Sequence, residues 1–84
     1  LRRRVQRSIA TADYAIRRFA ERDIQAWRHH NSVTVVFPRP GGDVIDRWQI
    51  APSRDIAHII TVPHVTHSMV DAAVEDVARS LGKA

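Results

Sequence analysis

Histidine is the residue type of this chain best suited to chemistry, and five of its 84 residues are histidines. His64 and His67 are separated by two residues, and His29 and His30 are adjacent. A zinc site usually needs three or four converging ligands from cysteine, histidine or carboxylate, and the chain contains no cysteine. His64 and His67 also lack the helical i, i+4 spacing of a metal-binding pair. We therefore interpret all four as loop and cap histidines exposed to water, and we expect no metal site.

His58 differs from the other histidines because it lies inside an apolar segment. Alternation with a period of two residues places it on the same face of a strand as Ile56, Ile60 and Val62. We expect its imidazole to be at least partly buried, and a buried imidazole needs a hydrogen-bond partner. His58 is therefore either a structural histidine or a residue that faces an interface or the wall of an active site, and it is the chain's candidate active-site residue.

Other catalytic patterns are missing from the sequence. The five serines lie in no recognisable nucleophile elbow, so hydrolase chemistry is unsupported. The pair Gly41-Gly42 is too short for a phosphate-binding loop and is interpreted as a turn.

Positive charge is concentrated at the start of the chain. The net charge is +4, and seven of the twelve arginines lie in the first 22 residues. They are Arg2, Arg3, Arg4, Arg7, Arg17, Arg18 and Arg22. Such a segment could neutralise phosphates, so the competing function is a stand-alone basic module for nucleic-acid binding or for interaction with another partner. Asp13 and Glu21 interrupt the run, and the interpretation that we favour is a solvated helix face.

The composition bears on the compartment of the protein. Without cysteine there is neither a disulfide framework nor a thiolate metal site, which favours a cytoplasmic setting. The longest apolar stretches are far shorter than the roughly 20 residues of a membrane-spanning helix. The arginines near Leu1 are not followed by the apolar region of a signal peptide.

Apolar periodicity predicts the element order α-β-β-α-β-α. The first half of the chain is predicted to form a helix to about Glu21 and then strands at 24–27 and 33–37. A short helix at 44–48, capped by Asp43, follows. The last two predicted elements are a strand at 56–62 that is covered on both faces and a helix capped by Thr66 and Gly82. We expect one α+β domain over residues 1–84, in which helices pack on a small, mostly antiparallel three-stranded sheet.

Three blocks of residues carry a family resemblance. They are Asn31–Pro40 (NSVTVVFPRP), Arg47–Ala51 (RWQIA) and Ile56–Thr66 (IAHIITVPHVT). In this order and spacing they resemble the C-terminal domain of pyridoxal-phosphate-dependent group II amino-acid decarboxylases. The most similar branch contains bacterial histidine decarboxylase and plant serine decarboxylase. One departure is Arg54, where the resemblance leads us to expect glycine.

The resemblance implies a carboxy-lyase that holds pyridoxal phosphate on a lysine and releases carbon dioxide, with the cofactor as electron sink. That lysine belongs to the large domain of such enzymes, and Lys83, the only lysine here, lies next to the C-terminus. We therefore expect this chain to bind no cofactor alone and to be inactive in isolation.

The implied partners are the large cofactor-binding domain of the same enzyme and further copies of that enzyme in a dimer or higher oligomer. The chain begins at Leu1 inside a helical pattern, and we expect it to be a C-terminal fragment representing about the last fifth of such an enzyme. The resemblance implies that His58 faces the region where the two domains meet.

Overall fold

Three helices and three strands make up the described part of the chain. The computed structural model describes the backbone of residues 2–61 and 64–83 and the side chains from residue 6 onward within those ranges. In chain order the elements are α1 (Arg2–Glu21), β1 (Thr34–Pro38), α2 (Gly42–Trp48), β2 (Ala51–Ser53), β3 (Ile56–Ile60) and α3 (His67–Ser80). The predicted α+β class is confirmed.

The strands form one antiparallel sheet in the order β1-β3-β2. Strand β3 is central, so His58 pairs with Val36 on one side and with Ala51 on the other. Beyond β1, Trp27 forms an isolated bridge with Val36 through two backbone hydrogen bonds of 2.9 and 2.7 Å. Trp27, Val36, His58 and Ala51 therefore form one row across the sheet.

The predicted strand at 24–27 is wrong, because only Trp27 pairs with the sheet. Ile24 is instead buried in the core just after α1, and its backbone N–H donates to the carbonyl of Phe19 at 2.9 Å. Strand β2 was not predicted, because Pro52 indicated only the end of a helix. Proline is tolerated in β2 because this strand lies at the edge of the sheet. The observed order is therefore α-β-α-β-β-α.

The hairpin between β2 and β3 explains the expected glycine at position 54. Ser53 pairs with Ile56, which leaves a two-residue loop of Arg54 and Asp55. Arg54 has a φ of 56°, in the left-handed region that glycine adopts most readily. Arg39 stabilises this loop through two hydrogen bonds. Its backbone N–H donates to the Asp55 carbonyl at 2.9 Å, and its guanidinium donates to the Arg54 carbonyl at 3.2 Å.

The helices cover one face of the sheet. Val35 and Phe37 of β1 and Val74 and Val77 of α3 are almost fully buried in the shared core. The Phe37 ring also stacks on Phe19 of α1, with ring centroids 4.8 Å apart. Within the described residues no helix covers the opposite face, although Val36 on that face is only 4% exposed.

Strand β3 was predicted to be covered on both faces, and this prediction is wrong. Ile56 is 37% exposed and Ile60 is 56% exposed, because all three helices lie on the other side of the sheet. Val62, which was placed on the same face, lies outside the described residues.

The ends of α3 are confirmed. Thr66 accepts a hydrogen bond from the backbone N–H of Met69 at 3.2 Å, and Gly82 has a φ of 73°. The N–H groups of Gly82 and Lys83 donate to the carbonyls of Arg79 and Ala78, the bonding pattern of a Schellman motif.

The predicted cap of α2 is wrong. The helix begins two residues earlier than expected, with Gly41 at the N-cap, and Asp43 lies in the first turn. The backbone N–H of Gly41 instead donates to the Ser80 hydroxyl of α3 at 2.7 Å. This bond fixes the start of α2 against the end of α3.

Candidate functional site

The uncovered face of the sheet is the most distinctive surface of the described residues. We call it the open face and define it by Trp27, Val36, Ile56, His58 and Ile60. Directly opposed residues of an antiparallel pair project to the same side, so the pairing register places all five together. Trp27 is 45% exposed and, with Ile56 and Ile60, makes this surface apolar.

His58 lies at the centre of the open face. Its side chain is half-buried, as predicted, and Nδ1 lies 3.2 Å from the carbonyl oxygen of Ala51 in the neighbouring strand. The imidazole thus has the partner that a structural histidine needs. It also faces the uncovered side of the sheet, so both interpretations of this residue from the sequence remain open.

A cavity of about 520 Å³ opens beside His58. It lies between β3, the α2–β2 connection and the first half of α3, and its walls include Trp48, Ile50, Met69 and Val70. The lining is mainly apolar, which suits an apolar side chain better than a charged ligand.

The other four histidines do not converge. His29, His30 and His64 are exposed, and the His67 ring stacks on Tyr14 with ring centroids 3.9 Å apart. Within residues 2–61 and 64–83, no three histidine or carboxylate side chains come together as a metal site requires.

Two arginines of the basic helix are used inside the chain. Arg18 donates from Nε to Asp71 at 2.9 Å, and Arg22 donates from Nε to Glu75 at 2.8 Å. Tyr14 also donates its hydroxyl proton to Asp71 at 2.6 Å. These contacts join α1 to α3, so Arg18 and Arg22 do not belong to the solvated face that the sequence indicated.

The carboxylate of Asp71 is held in its ionised form. The hydrogen bond from Tyr14, together with Arg18, lowers the pKa of Asp71. The same hydrogen bond raises the pKa of Tyr14, since the phenol donates its proton to the carboxylate.

Asp76 also joins two helices through its carboxylate, in this case α2 and α3. Trp48 donates its indole N–H to the Asp76 carboxylate at 2.8 Å, and Arg47 and Arg79 donate to it at 2.7 and 3.0 Å. The bond from Trp48, followed by that from Arg47, lowers the pKa of Asp76.

The ion pairs between α1 and α3 were missed in the sequence, although a signal was present. Tyr14, Arg18 and Arg22 repeat every four residues, as do Asp71 and Glu75. Residues four apart lie on one helix face, so each helix presents one row of complementary side chains. Two such rows predict a contact only when it is known which helices pack together.

Among the described residues, Lys83 does not fit the role of a lysine that holds pyridoxal phosphate. A lysine that holds the cofactor must lie in an enclosed pocket, whereas the Lys83 side chain is 42% exposed beyond the end of α3. Its Nζ lies 3.4 Å from Asp23. Every buried polar side-chain atom in the described part of the chain already has a hydrogen-bond partner. None of them needs a cofactor as its partner.

Within the described residues, no helix combines the length and the apolarity needed to cross a membrane.

Comparison with known proteins identifies the relatives of the chain. No protein-family model matches it. It is 47% identical over 77 residues to the histidine decarboxylase of Pseudomonas entomophila strain L48, covering 90% of this chain and 19% of that protein. It is 42% identical over 77 residues to the histidine decarboxylase of Morganella morganii, with coverages of 90% and 20%.

A solved structure shares the fold. The L-methionine decarboxylase from Streptomyces sp. 590 matches with a TM-score of 0.82 at 20% identity, over 95% of this chain and 20% of that chain. The chain thus spans about a fifth of the length of the curated relatives that it matches. The resemblance found in the sequence is confirmed: the chain is a homologue of the C-terminal part of bacterial histidine decarboxylases.

Proposed function

We propose that residues 1–84 are the small C-terminal domain of a pyridoxal-phosphate-dependent amino-acid decarboxylase, a carboxy-lyase that releases carbon dioxide only when the whole enzyme is assembled. The observation that carries this proposal is the identity of 47% to a histidine decarboxylase over nine-tenths of the chain. The fold shared with a methionine decarboxylase agrees with it.

The proposal assigns the cofactor to another part of the enzyme. Lys83 is exposed and does not fit pyridoxal phosphate, so the cofactor lysine and the groups that hold the cofactor lie on the larger domain. The contribution of this chain is structural. It supplies a packed domain whose uncovered surface meets the rest of the enzyme.

His58 is the proposed contact residue closest to the chemistry. It lies at the centre of the open face, where a covering domain would enclose it. Its hydrogen bond to Ala51 fixes the ring from within the chain, which suits a residue that forms part of a wall. We assign it no role in bond making or breaking.

The assembled enzyme is further proposed to be a cytoplasmic homo-oligomer. The absence of cysteine fits a reducing compartment, and the family resemblance implies an oligomer of at least two copies.

The test is cofactor binding with and without the rest of the enzyme. The chain is first purified alone, and then together with the polypeptide encoded immediately upstream, either fused or separate. We expect the visible absorbance of bound pyridoxal phosphate and the release of carbon dioxide from an amino acid only in the second case. Cofactor bound by the chain alone would contradict the proposal. So would an assembled sample that binds the cofactor and releases no carbon dioxide.

A further inference from the structure

Strand β3 has an edge that β2 covers only in part. Strand β2 pairs with Ile56–His58 and begins at Ala51, which lies opposite His58. The chain before Ala51 does not continue along β3, because Gln49 caps α2 in the left-handed conformation with a φ of 53°. Beyond His58, this edge of β3 therefore has no neighbouring strand among the described residues.

The backbone hydrogen-bonding groups of Ile60 point to this uncovered edge. Successive residues of a central antiparallel strand bond alternately to the strands on its two sides. The Thr61 N–H donates to the Val33 carbonyl at 2.9 Å, so Thr61 bonds toward β1. The N–H and C=O of Ile60 then point the other way, and none of the described residues bonds to them. An unpaired edge of this kind can accept another strand.

The apolar cavity of about 520 Å³ opens beside the same edge. Its walls include Ile59 and Thr61, the two neighbours of Ile60, and Met69 of α3. Thr61 is buried, and Ile59 packs against the shared core that the helices cover. Most of this space therefore lies across the sheet from the open face. Its volume is in the range of about 300–1,000 Å³ that is typical of ligand sites in proteins.

A strand added at this edge would carry its side chains in a fixed pattern. The residue opposite Ile60 would exchange two backbone hydrogen bonds with it, and its side chain would point to the same side as Ile60. The next residue of the added strand would point to the other side, into the cavity. The fitting occupant is therefore an extended segment with a large apolar residue beside the pairing residue. Proline is excluded at the pairing position, because it has no N–H.

The small size of this contact indicates where the segment comes from. One pair of backbone hydrogen bonds and one buried side chain involve far less surface than the roughly 1,200 Å² or more that specific protein complexes bury. So small a contact does not offset the freedom that two separate molecules lose on binding. A segment tethered within the same enzyme has an effective concentration on the order of millimolar and loses much less.

A second copy of the chain is a poorer source of the segment. Its strands β1 and β3 are already paired with each other. Its edge strand β2 offers only Ala51, Pro52 and Ser53, none of which has a large apolar side chain. The relatives are about five times longer than this chain, so the enzyme has ample polypeptide from which the segment can come.

We propose that an extended segment of the same enzyme, from outside residues 1–84, pairs with the edge of β3 at Ile60 and places one large apolar side chain in the cavity. This inference rests on the proposed function. The added strand lengthens the small sheet, and its side chain completes the core between β3 and α3.

Benzene tests whether the cavity is filled, because it enters empty apolar cavities in proteins. Met69 is the only methionine of the chain and lies in the cavity wall, so its isotope-labelled methyl group reports on this space by NMR. Ala72→Met adds a control methyl group at an exposed position of α3. Each protein is measured as the 84-residue chain and in the assembly with the polypeptide encoded upstream. In the assembly, the Met69 signal is identified by its loss in Met69→Leu.

We expect benzene to shift the Met69 signal in the 84-residue chain and to leave it unchanged in the assembly, where the segment fills the space. The added signal of Ala72→Met should stay in place in both samples. No shift in the chain alone would overturn the proposal, since the cavity would then have no room for a side chain. A shift in the assembly as large as in the chain would also overturn it, because a cavity that is covered but empty still takes up benzene.

Hydrogen exchange tests the backbone pairing. The Ile60 N–H should exchange at least about tenfold more slowly in the assembly than in the 84-residue chain, because the segment accepts its hydrogen bond. Fast exchange of this N–H in the assembly would contradict the added strand.

Ala73→Leu tests whether the pairing depends on the cavity. Ala73 is a buried residue of the cavity wall, so a larger side chain there should expel the segment and make the Ile60 N–H exchange fast again in the assembly. Ala72→Leu is the matched control and should leave the exchange slow. Slow exchange with both variants would show that no side chain of the segment uses the cavity. The benzene measurement needs neither substitution, so it decides the proposal if Ala73→Leu fails to fold.

Failure of this inference is distinguishable from failure of the proposed function. Carbon dioxide release by an assembly in which benzene still reaches Met69 would keep the decarboxylase and reject the added strand. An assembly that excludes benzene and protects the Ile60 N–H, but releases no carbon dioxide, would keep the added strand and reject the decarboxylase.

Discussion

At the scale of single residues, Thr61 joins two distant parts of the chain. It is 1% exposed, and its hydroxyl lies 2.8 Å from the carbonyl oxygens of both Ser8 in α1 and Val33 before β1. Thr61→Val keeps the shape and removes the hydroxyl, so we expect the free energy of unfolding to fall by about 1 kcal/mol. Urea denaturation measures this change. An unchanged or higher stability would show that the hydroxyl contributes nothing.

Asp71 should give the stability of the chain a dependence on pH. Its pKa is lowered in the folded state, chiefly by the hydrogen bond from Tyr14, so its contribution is complete above the ordinary aspartate pKa of about 4. That contribution is lost as pH falls through the lowered native pKa, because the unfolded chain then binds the proton more readily. We expect thermal unfolding to become easier in this acidic range, and Asp71→Asn to reduce the dependence.

Asp46→Asn is the matched control for Asp71→Asn, since Asp46 is an exposed carboxylate on α2. It should leave the Tm profile between pH 2 and pH 5 close to that of the unsubstituted chain. A profile altered equally by both substitutions would mean that net charge, rather than the bonds of Asp71 to Tyr14 and Arg18, controls the acid response.

The face on which a side chain lies was predictable where it follows from the local alternation of a strand. The half-buried state of His58 could be read from its neighbours, because a strand alternates between two faces. The bonds of Thr61 to Ser8 and of Asp71 to α1 could not be predicted, because these partners lie more than 50 residues away in the sequence and depend on which helices meet.

At the scale of elements, α3 depends on its N-cap. Thr66 accepts the hydrogen bond of the Met69 N–H, so Thr66→Ala should lower the free energy of unfolding by about 1 kcal/mol. Thr66→Ser is the control, because serine keeps the accepting hydroxyl. Chemical denaturation followed by circular dichroism measures both. Equal losses for alanine and serine would contradict the capping role.

The helices were predicted better than the strands. The end of α1 follows from apolar periodicity, and the limits of α3 follow from periodicity and cap residues, which act over a few neighbouring positions. Strand β2 was missed because three residues that include Pro52 become a strand only when β3 lies beside them. The segment 24–27 is the opposite case. Its composition is typical of a strand, but only Trp27 pairs with the sheet.

At the scale of the whole molecule, the two sides of the fold differ in chemistry. On the helical side, the helices pack on a shared core and are joined by ion pairs, among them those of Arg18 and Arg22 with α3. The sheet side leaves Trp27, Ile56 and Ile60 exposed. Composition alone could not predict this asymmetry, because the number of apolar residues does not say on which face each one lies.

We propose that this chain can replace the C-terminal part of a histidine decarboxylase. The most direct measurement is carbon dioxide release from histidine by a chimera, in which the chain replaces the matched segment of the Pseudomonas entomophila enzyme. The control is that enzyme truncated before the segment. We predict that the chimera binds pyridoxal phosphate and releases carbon dioxide well above the truncated control. A chimera that folds, with a cooperative thermal transition, but releases no more than the control would contradict the claim.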